Sequence, residues 1–209
     1  YGGTSNTLTD ICFGNGLFVA VGASGTIIYS ADGAVWNKAT TNVFLTLTGV
    51  TFYTSGASTS FVATSDTGVV VTSVDADVWT VVSTGTSQSL NSIGFNDGVL
   101  IAVGANGTII KSTDTTTWSL LTGPTSYNLL SVNYIEDRWI VTGEYSTVLI
   151  SEDDGVTWTY GFTDTFRSSA NNGVVWAFVG DGGIIYNIDT GIDPTQLVAT
   201  TSPTIENLY

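Results

Sequence analysis

Residues 8–36 read LTDICFGNGLFVAVGASGTIIYSADGAVW, and residues 90–118 read LNSIGFNDGVLIAVGANGTIIKSTDTTTW. The two stretches share one frame from end to end without a gap. A third copy, LLSVNYIEDRWIVTGEYSTVLISEDDGVTW, starts at Leu129. A fourth runs from Leu47 to Trp79 with four extra residues in its first turn, and a weaker fifth begins at Phe166 and continues through GVVWAFVGDGGIIYNID. The residue that ends the third apolar run marks the frame as Ser30, Ser73, Ser112, Ser151 and then Asn187, at separations of 43, 39, 39 and 36. Five units of about 40 residues fill the chain with no linker between them.

Each unit carries four strand signals. In the first, Leu8–Phe13 alternates, Leu17–Gly22 is a compact apolar run, Thr26–Ser30 is β-branched, and Trp36–Thr40 follows a turn. Breakers separate them at Gly14-Asn15-Gly16, Ser24-Gly25 and Asp32-Gly33. Connections this short suit antiparallel hairpins rather than parallel crossovers. No window sustains a 3.6-residue period, so almost no helix is expected. Short antiparallel strands in fours, at this period, predict an all-β fold: a five-bladed β-propeller of four-stranded antiparallel blades. The expected blades are 8–42, 43–85, 86–124, 125–163 and 164–201, in a single domain over 1–204. Residues 205–209 are set apart, because Glu206-Asn207-Leu208-Tyr209 match the start of a common engineered protease site. The chain has no Met, which predicts that it is cut from a longer polypeptide.

The innermost strand of each blade is expected to place small or polar residues toward the axis: Asp10 and Cys12, Gly49 and Thr51, Ser92 and Gly94, Ser131 and Asn133, Ser168 and Ala170. The alternate residues, Ile11, Phe13, Val50, Phe52, Ile93, Phe95, Val132 and Tyr134, are large and are expected to fill the gaps between blades.

The turn between third and fourth strands carries a second signature. Ser151-Glu152-Asp153-Asp154-Gly155-Val156-Thr157-Trp158 reads S-x-D-x-G-x-T-W, and versions one residue shorter occur at Ser30/Asp32/Trp36, Ser73/Asp75/Trp79 and Ser112/Asp114/Trp118. The fifth unit keeps Asp189. This pattern resembles the Asp-box, or BNR, repeat of β-propeller families, over roughly residues 8–200. Those families include sialidases, sortilin-type receptors, photosystem-assembly propellers, glucanases and viral or phage surface proteins, so the resemblance implies a fold rather than an activity. The box residues read as structural. The Asp accepts bonds from the next backbone N–H groups, Gly155 supplies a positive φ, and the Trp folds under the turn and is expected to be largely buried. Calcium at each box would need six to eight oxygens, and one carboxylate per turn falls short.

Composition narrows the function. Four Lys and Arg stand against eighteen Asp and Glu, a formal net charge of −14, and charged residues are 11% of the chain against a usual share of about 25%. Lys38, Lys111, Arg138 and Arg167 cannot form the basic stripe that nucleic acid requires. No apolar stretch reaches transmembrane length. The chain has no His and a single cysteine, Cys12, which leaves no His-based catalysis, no internal disulfide and no Cys or His metal site. No metal or cofactor is expected. Two arginines are too few for a sialidase carboxylate clamp, and the arginine-rich patch and seven blades that the photosystem-assembly resemblance implies are missing from the sequence.

A binding surface remains. The loops joining second and third strands should ring one face, with Ser24, Asp66, Asn106, Tyr145 and Asp181 at their centres. The connections between units lie beside them and are rich in Thr, Ser, Asn and aromatics, with Phe44, Tyr127 and Phe162. Hydroxyls, amides, acids and rings suit sugar recognition and also suit solvated turns. The expected function is a non-enzymatic recognition or structural module on an exposed surface, extracellular or on a virion, taking a neutral glycan or a protein receptor at this rim. The alternatives are a glycoside hydrolase with a carboxylate pair and a pure scaffold within a larger virion or secreted protein.

Overall fold

The computed structural model describes residues 4–135, 137–145 and 147–161. In the last unit it describes the strands Phe166–Asn171, Val175–Gly180, Ile185–Asp189 and Val198–Thr200. The protein is all-β, built from four-stranded antiparallel sheets, each a meander of four consecutive strands. Unit one comprises Leu8–Gly14, Leu17–Gly22, Ile27–Ser30 and Asn37–Lys38. Units two, three and four repeat it, beginning at Leu47–Ser55, Leu90–Asn96 and Leu129–Ile135. The four strands of the last unit pair in the same order. The helical content among the described residues is two 3₁₀ turns, Ala23–Gly25 and Ala105–Gly107. The fourth strand of unit one is shorter than its sequence signal, because Trp36 belongs to the preceding turn.

The four extra residues of unit two extend its first hairpin. Strands Leu47–Ser55 and Ser58–Ser65 stay paired out to Ser55 opposite Ser58, and Gly56, with φ of 58°, closes the turn.

Between sheets, apolar faces interlock. One face of unit one (Val19, Val21, Ile27) meets the opposite face of unit two (Leu47, Val50, Phe61, Val71, Trp79) in one buried cluster. The same arrangement joins units two and three through Val62, Val70, Ile93 and Leu100, and units three and four through Ile101, Val103, Val132 and Trp139. Phe61, Leu100 and Trp139 occupy one frame position and are each 0% exposed. Burying a side chain of this size contributes roughly 1.5–3 kcal/mol.

A β-bulge repeats at the same place in each first strand, where the register slips at Thr9, Thr48, Asn91 and Leu130. A bulge re-aims its side chain. Here it turns Thr9 Oγ1 onto Leu47 O (2.6 Å), Thr48 Oγ1 onto Leu90 O (2.6 Å), and Asn91 Nδ2 onto Leu129 O (2.7 Å). Units one, two and three thus each donate to the first residue of the next.

Two expectations need correction. Cys12 and Gly94 do not face the axis. Cys12 packs in the seam between units one and two, and a Cβ on Gly94 would lie 3.0 Å from the Trp139 ring. Both faces of an inner strand look into seams, so alternation alone does not aim a side chain at the axis. Secondly, Ile11 and Phe13 fill no gap, being 55% and 60% exposed, whereas Val50, Ile93 and Val132 are buried. Among the described residues, no neighbouring sheet covers that face of unit one.

Candidate functional site

Three of the described loops between second and third strands share one backbone, and the Asp66 loop bends at Gly68 instead. Ser24, Asn106 and Tyr145 all sit in the left-handed region, with φ of 55°, 54° and 52°. Each loop is tied to the connection that precedes its unit. Ala23 N donates to Thr7 O, Asp66 N to Thr46 O, Ala105 N to Ser89 O and Glu144 N to Asn128 O, at 2.8–3.0 Å. Loops and connections therefore form one rim. In two of the loops a glycine follows the central residue, Gly25 with φ of +66° and Gly107 with φ of +68°, and a Cβ on Gly107 would stand 1.9 Å from Thr125 O.

Among the candidates, the structure links Asn106 with Tyr145. Asn106 Nδ2 donates to Gln88 Oε1 at 2.7 Å, and Asn106 N donates to Asn128 Oδ1 at 3.0 Å. Next to Asn128, Tyr127 packs its ring against Tyr145, with centroids 4.8 Å apart and planes at 46°. Tyr127 is 47% and Tyr145 74% exposed, so this pair presents bare ring surface beside an amide cluster. Ser24 and Asp66 lie exposed elsewhere on the rim, over the connection at residues 43–46. Asp181 lies outside the described residues. Among the described residues of these loops and connections, charge is carried by Asp66 and Glu144. Gln88 and Asn128 were not singled out by the sequence. No shared frame position marks them, since Gln88 matches Tyr127 and Asn128 matches Ser89 in the aligned connections.

A second feature lies where the first strands converge. A polar cavity of about 410 Å³ is lined by Asp10, Gly49, Asn91, Ser92, Ser131 and Asn133, among others. Asp10 Oδ1 accepts from Ile11 N and Oδ2 from Val50 N, both at 2.8 Å. Burial pushes its carboxyl above the ordinary value, and those two N–H groups pull it part of the way back. In the next seam but one, Ser92 Oγ takes the same role toward Val132 N (3.2 Å). Asp10 is the one carboxylate on the described lining.

At the box turns, side chains serve the turn itself. Asp32 Oδ1 accepts from Ala34 N and Val35 N, Asp75 Oδ1 from Asp77 N and Val78 N, and Asp114 Oδ1 from Thr116 N and Thr117 N, all at 2.6–3.0 Å. The longer box uses Thr157 N (2.8 Å) and Thr157 Oγ1 (2.6 Å) on Asp153, while Ser151 Oγ accepts from Gly155 N at 2.8 Å. Donors on the ionised form hold these carboxyls low: the backbone N–H of Thr117 above all brings Asp114 to about 2, and the Thr157 hydroxyl brings Asp153 to about 2. The acidic run beside it is likewise engaged: Asp154 Oδ1 accepts from Trp139 Nε1 (3.1 Å), and Glu152 pairs with Arg138 at 3.9 Å. The expectation of four buried tryptophans is corrected. Trp79 is 7% exposed, whereas Trp36, Trp118 and Trp158 are half-buried. Their rings cap the turn edge, and Trp36, Trp79 and Trp118 each donate Nε1 to a turn carbonyl.

No helix among the described residues is long and apolar enough to cross a membrane. No protein-family model matches the chain, and no curated protein matches it. Its fold does match solved β-propellers. The computationally designed Ika8 protein superimposes with a TM-score of 0.74 at 16% identity, covering 98% of this chain, which spans 64% of the designed one. YCF48 bound to D1 peptide superimposes at 0.71 and 15% identity, covering 94% of this chain and 68% of its own. YCF48 from Cyanidioschyzon merolae gives 0.65 and 17%, covering 88% and 70%. At these identities the likeness establishes the fold, a β-propeller arrangement of four-stranded sheets.

Proposed function

We propose that this chain is a non-enzymatic recognition module with five propeller blades of Asp-box type, displayed on an extracellular or virion surface as part of a longer polypeptide. Its rim takes an uncharged or basic protein segment across the Tyr127–Tyr145 pair and the Gln88–Asn106–Asn128 amides. One observation carries this reading: two exposed tyrosines stack on each other, one of them held in a left-handed conformation that bulky residues rarely adopt. Exposed aromatic rings beside amides are the anchors that interfaces favour. YCF48 holding a D1 peptide supplies a precedent for a propeller of this outline taking a protein segment. Asp66 and Glu144 disfavour anionic ligands. A neutral glycan is the second reading, favoured by the same bare ring faces. Against hydrolysis, the described lining of the axial cavity offers Asp10 as its one carboxylate, and glycoside cleavage of the usual kind needs two.

Peptide and glycan arrays probed with the wild-type chain and with the Tyr127→Ala/Tyr145→Ala double variant test this. Binding to neutral or basic ligands, weakened roughly tenfold or more in the variant, supports the rim. Binding dominated by sialylated or sulfated sugars, or indifferent to the variant, rejects it.

A further inference from the structure

A cavity of about 740 Å³ opens at the opposite end of the sheets from the rim, between the first hairpin of unit two and the box turn of unit three. Both walls belong to interior units, and the volume is that of a ligand pocket. The four extra residues of unit two build one wall. The first hairpins of units one and three stop at Gly14 opposite Leu17 and at Asn96 opposite Val99. In unit two the matching pair is Tyr53 opposite Ser60, and the ladder continues through Thr54–Thr59 to Ser55–Ser58.

That projecting hairpin is held on two units. Ser60 Oγ donates to Ser73 O at 3.1 Å within unit two, and Tyr53 Oη donates to Thr113 O in unit three. The Tyr53 ring meets Phe95 edge-on, with centroids 5.5 Å apart. The tip rests against the first turn of unit three, where a Cβ on Gly98 would stand 3.3 Å from Ser55 Oγ. The wall is therefore paired strand clamped at both ends, so the cleft is formed before any ligand arrives.

Hydroxyls line it. The side chains of Ser58, Thr59, Thr72 and Thr113 border the cavity and make no hydrogen bond to the described protein. Other chemistries are poorly served. The lining holds no Lys or Arg to meet an anion. Its carboxylate, Asp114, is bound to Thr116 N and Thr117 N of its own turn. Its one ring, Tyr53, is 3% exposed and offers no bare aromatic face to an apolar anchor. A hydroxyl both donates and accepts, so a wall of them matches a ligand whose own polar groups are hydroxyls.

The geometry points to a second binding site in this cleft, for an uncharged saccharide chain, separate from the rim and independent of what the rim takes. Glycan and peptide arrays probed with the Tyr127→Ala/Tyr145→Ala chain, whose rim is disabled, test it. Uncharged oligosaccharides are expected to bind this chain still. Adding Thr72→Ala/Thr113→Ala is expected to weaken those hits about fivefold or more, by removing two hydrogen-bonding groups. Adding Ser58→Trp instead is expected to plug the cleft and abolish them. Near-UV circular dichroism checks the fold of each variant, and the alanine pair, which adds no bulk, carries the test should the tryptophan disturb the hairpin. A hit titrated into the wild type is expected to move the amide resonances of Thr59, Thr72 and Thr113. Absence of any uncharged sugar among the hits overturns the inference. So does sugar binding that ignores both cleft changes, or capture of peptides alone.

Discussion

The rim loops and the box turns are made alike and used differently. Both are short hairpin connections, repeated around the molecule, with a left-handed residue at the bend: Ser24, Asn106 and Tyr145 on the rim, Ala76 and Thr115 at the boxes. At a box, the Ser and Asp side chains turn inward and saturate the backbone of their own turn, so the same residues recur from unit to unit. On the rim, the backbone is satisfied by the neighbouring connection instead, through Ala23 N, Ala105 N and Glu144 N. The side chain at the bend is then free of structural duty and can vary among Ser, Asn and Tyr. A turn that supports itself preserves its sequence, and a turn supported from outside can carry specificity.

Four substitutions probe that division, in descending order of effect. Trp79→Ala empties a buried site at a box and should cost about 3–5 kcal/mol in denaturant unfolding. Trp158→Ala, from a half-buried ring, should cost clearly less; equal losses would show that the boxes are packed alike. Gly107→Ala tests the rim backbone. The left-handed φ alone costs roughly 1–2 kcal/mol, and the collision with Thr125 O adds to it, so loss of thermal stability should match that of Gly25→Ala, whose Cβ would stand 1.8 Å from Val43 O. Asp114→Ala removes a turn cap and should cost about 1 kcal/mol.

The same carboxylates set an acid limit. Asp114 and Asp153 titrate at about 2 in the folded state, and Asp32 and Asp75 are also lowered. Their folded values lie below the unfolded value of about 3.9, so their contribution is complete above that pH. It drains away as pH falls from about 4 toward 2. Asp10 has the opposite sign, since its raised value favours protonation in the folded state. Urea midpoints measured from pH 5 downward should therefore fall most steeply below 4, and Asp114→Ala should flatten that fall. Smallest of all, Tyr145→Gly should leave stability unchanged within about 0.5 kcal/mol or raise it, by relieving the left-handed side chain, while abolishing rim binding. A large destabilisation would make Tyr145 structural and erase the distinction from the boxes.

The repeat was legible because the frame is carried by backbone chemistry. Small residues, glycines and β-branched runs recur wherever strands and turns recur, and the serine that ends each third strand bonds its box at Ser30, Ser73, Ser112 and Ser151. Burial was less legible, because it depends on what stands beside a unit. Ile11 and Phe13 have the same character as Val50 and Phe52, and no local pattern tells that the latter are covered and the former are not. Trp36 and Trp79 differ for the same reason. The bulges at Thr9, Thr48 and Asn91 also escaped the alternation argument, since one extra residue changes the direction of a side chain without changing the apolar pattern. On the rim, the bend positions were readable from the frame, whereas the alliance of Tyr145 with Tyr127 joins two units and could come only from the fold.

Cys12 closes the first seam, packed among the residues where units one and two meet. Burial first, and the nearby charge of Asp10 second, push its thiol up to about 12. At neutral pH little thiolate exists at this half-buried thiol, so alkylation of the folded chain should be slow and should quicken when the first two sheets part.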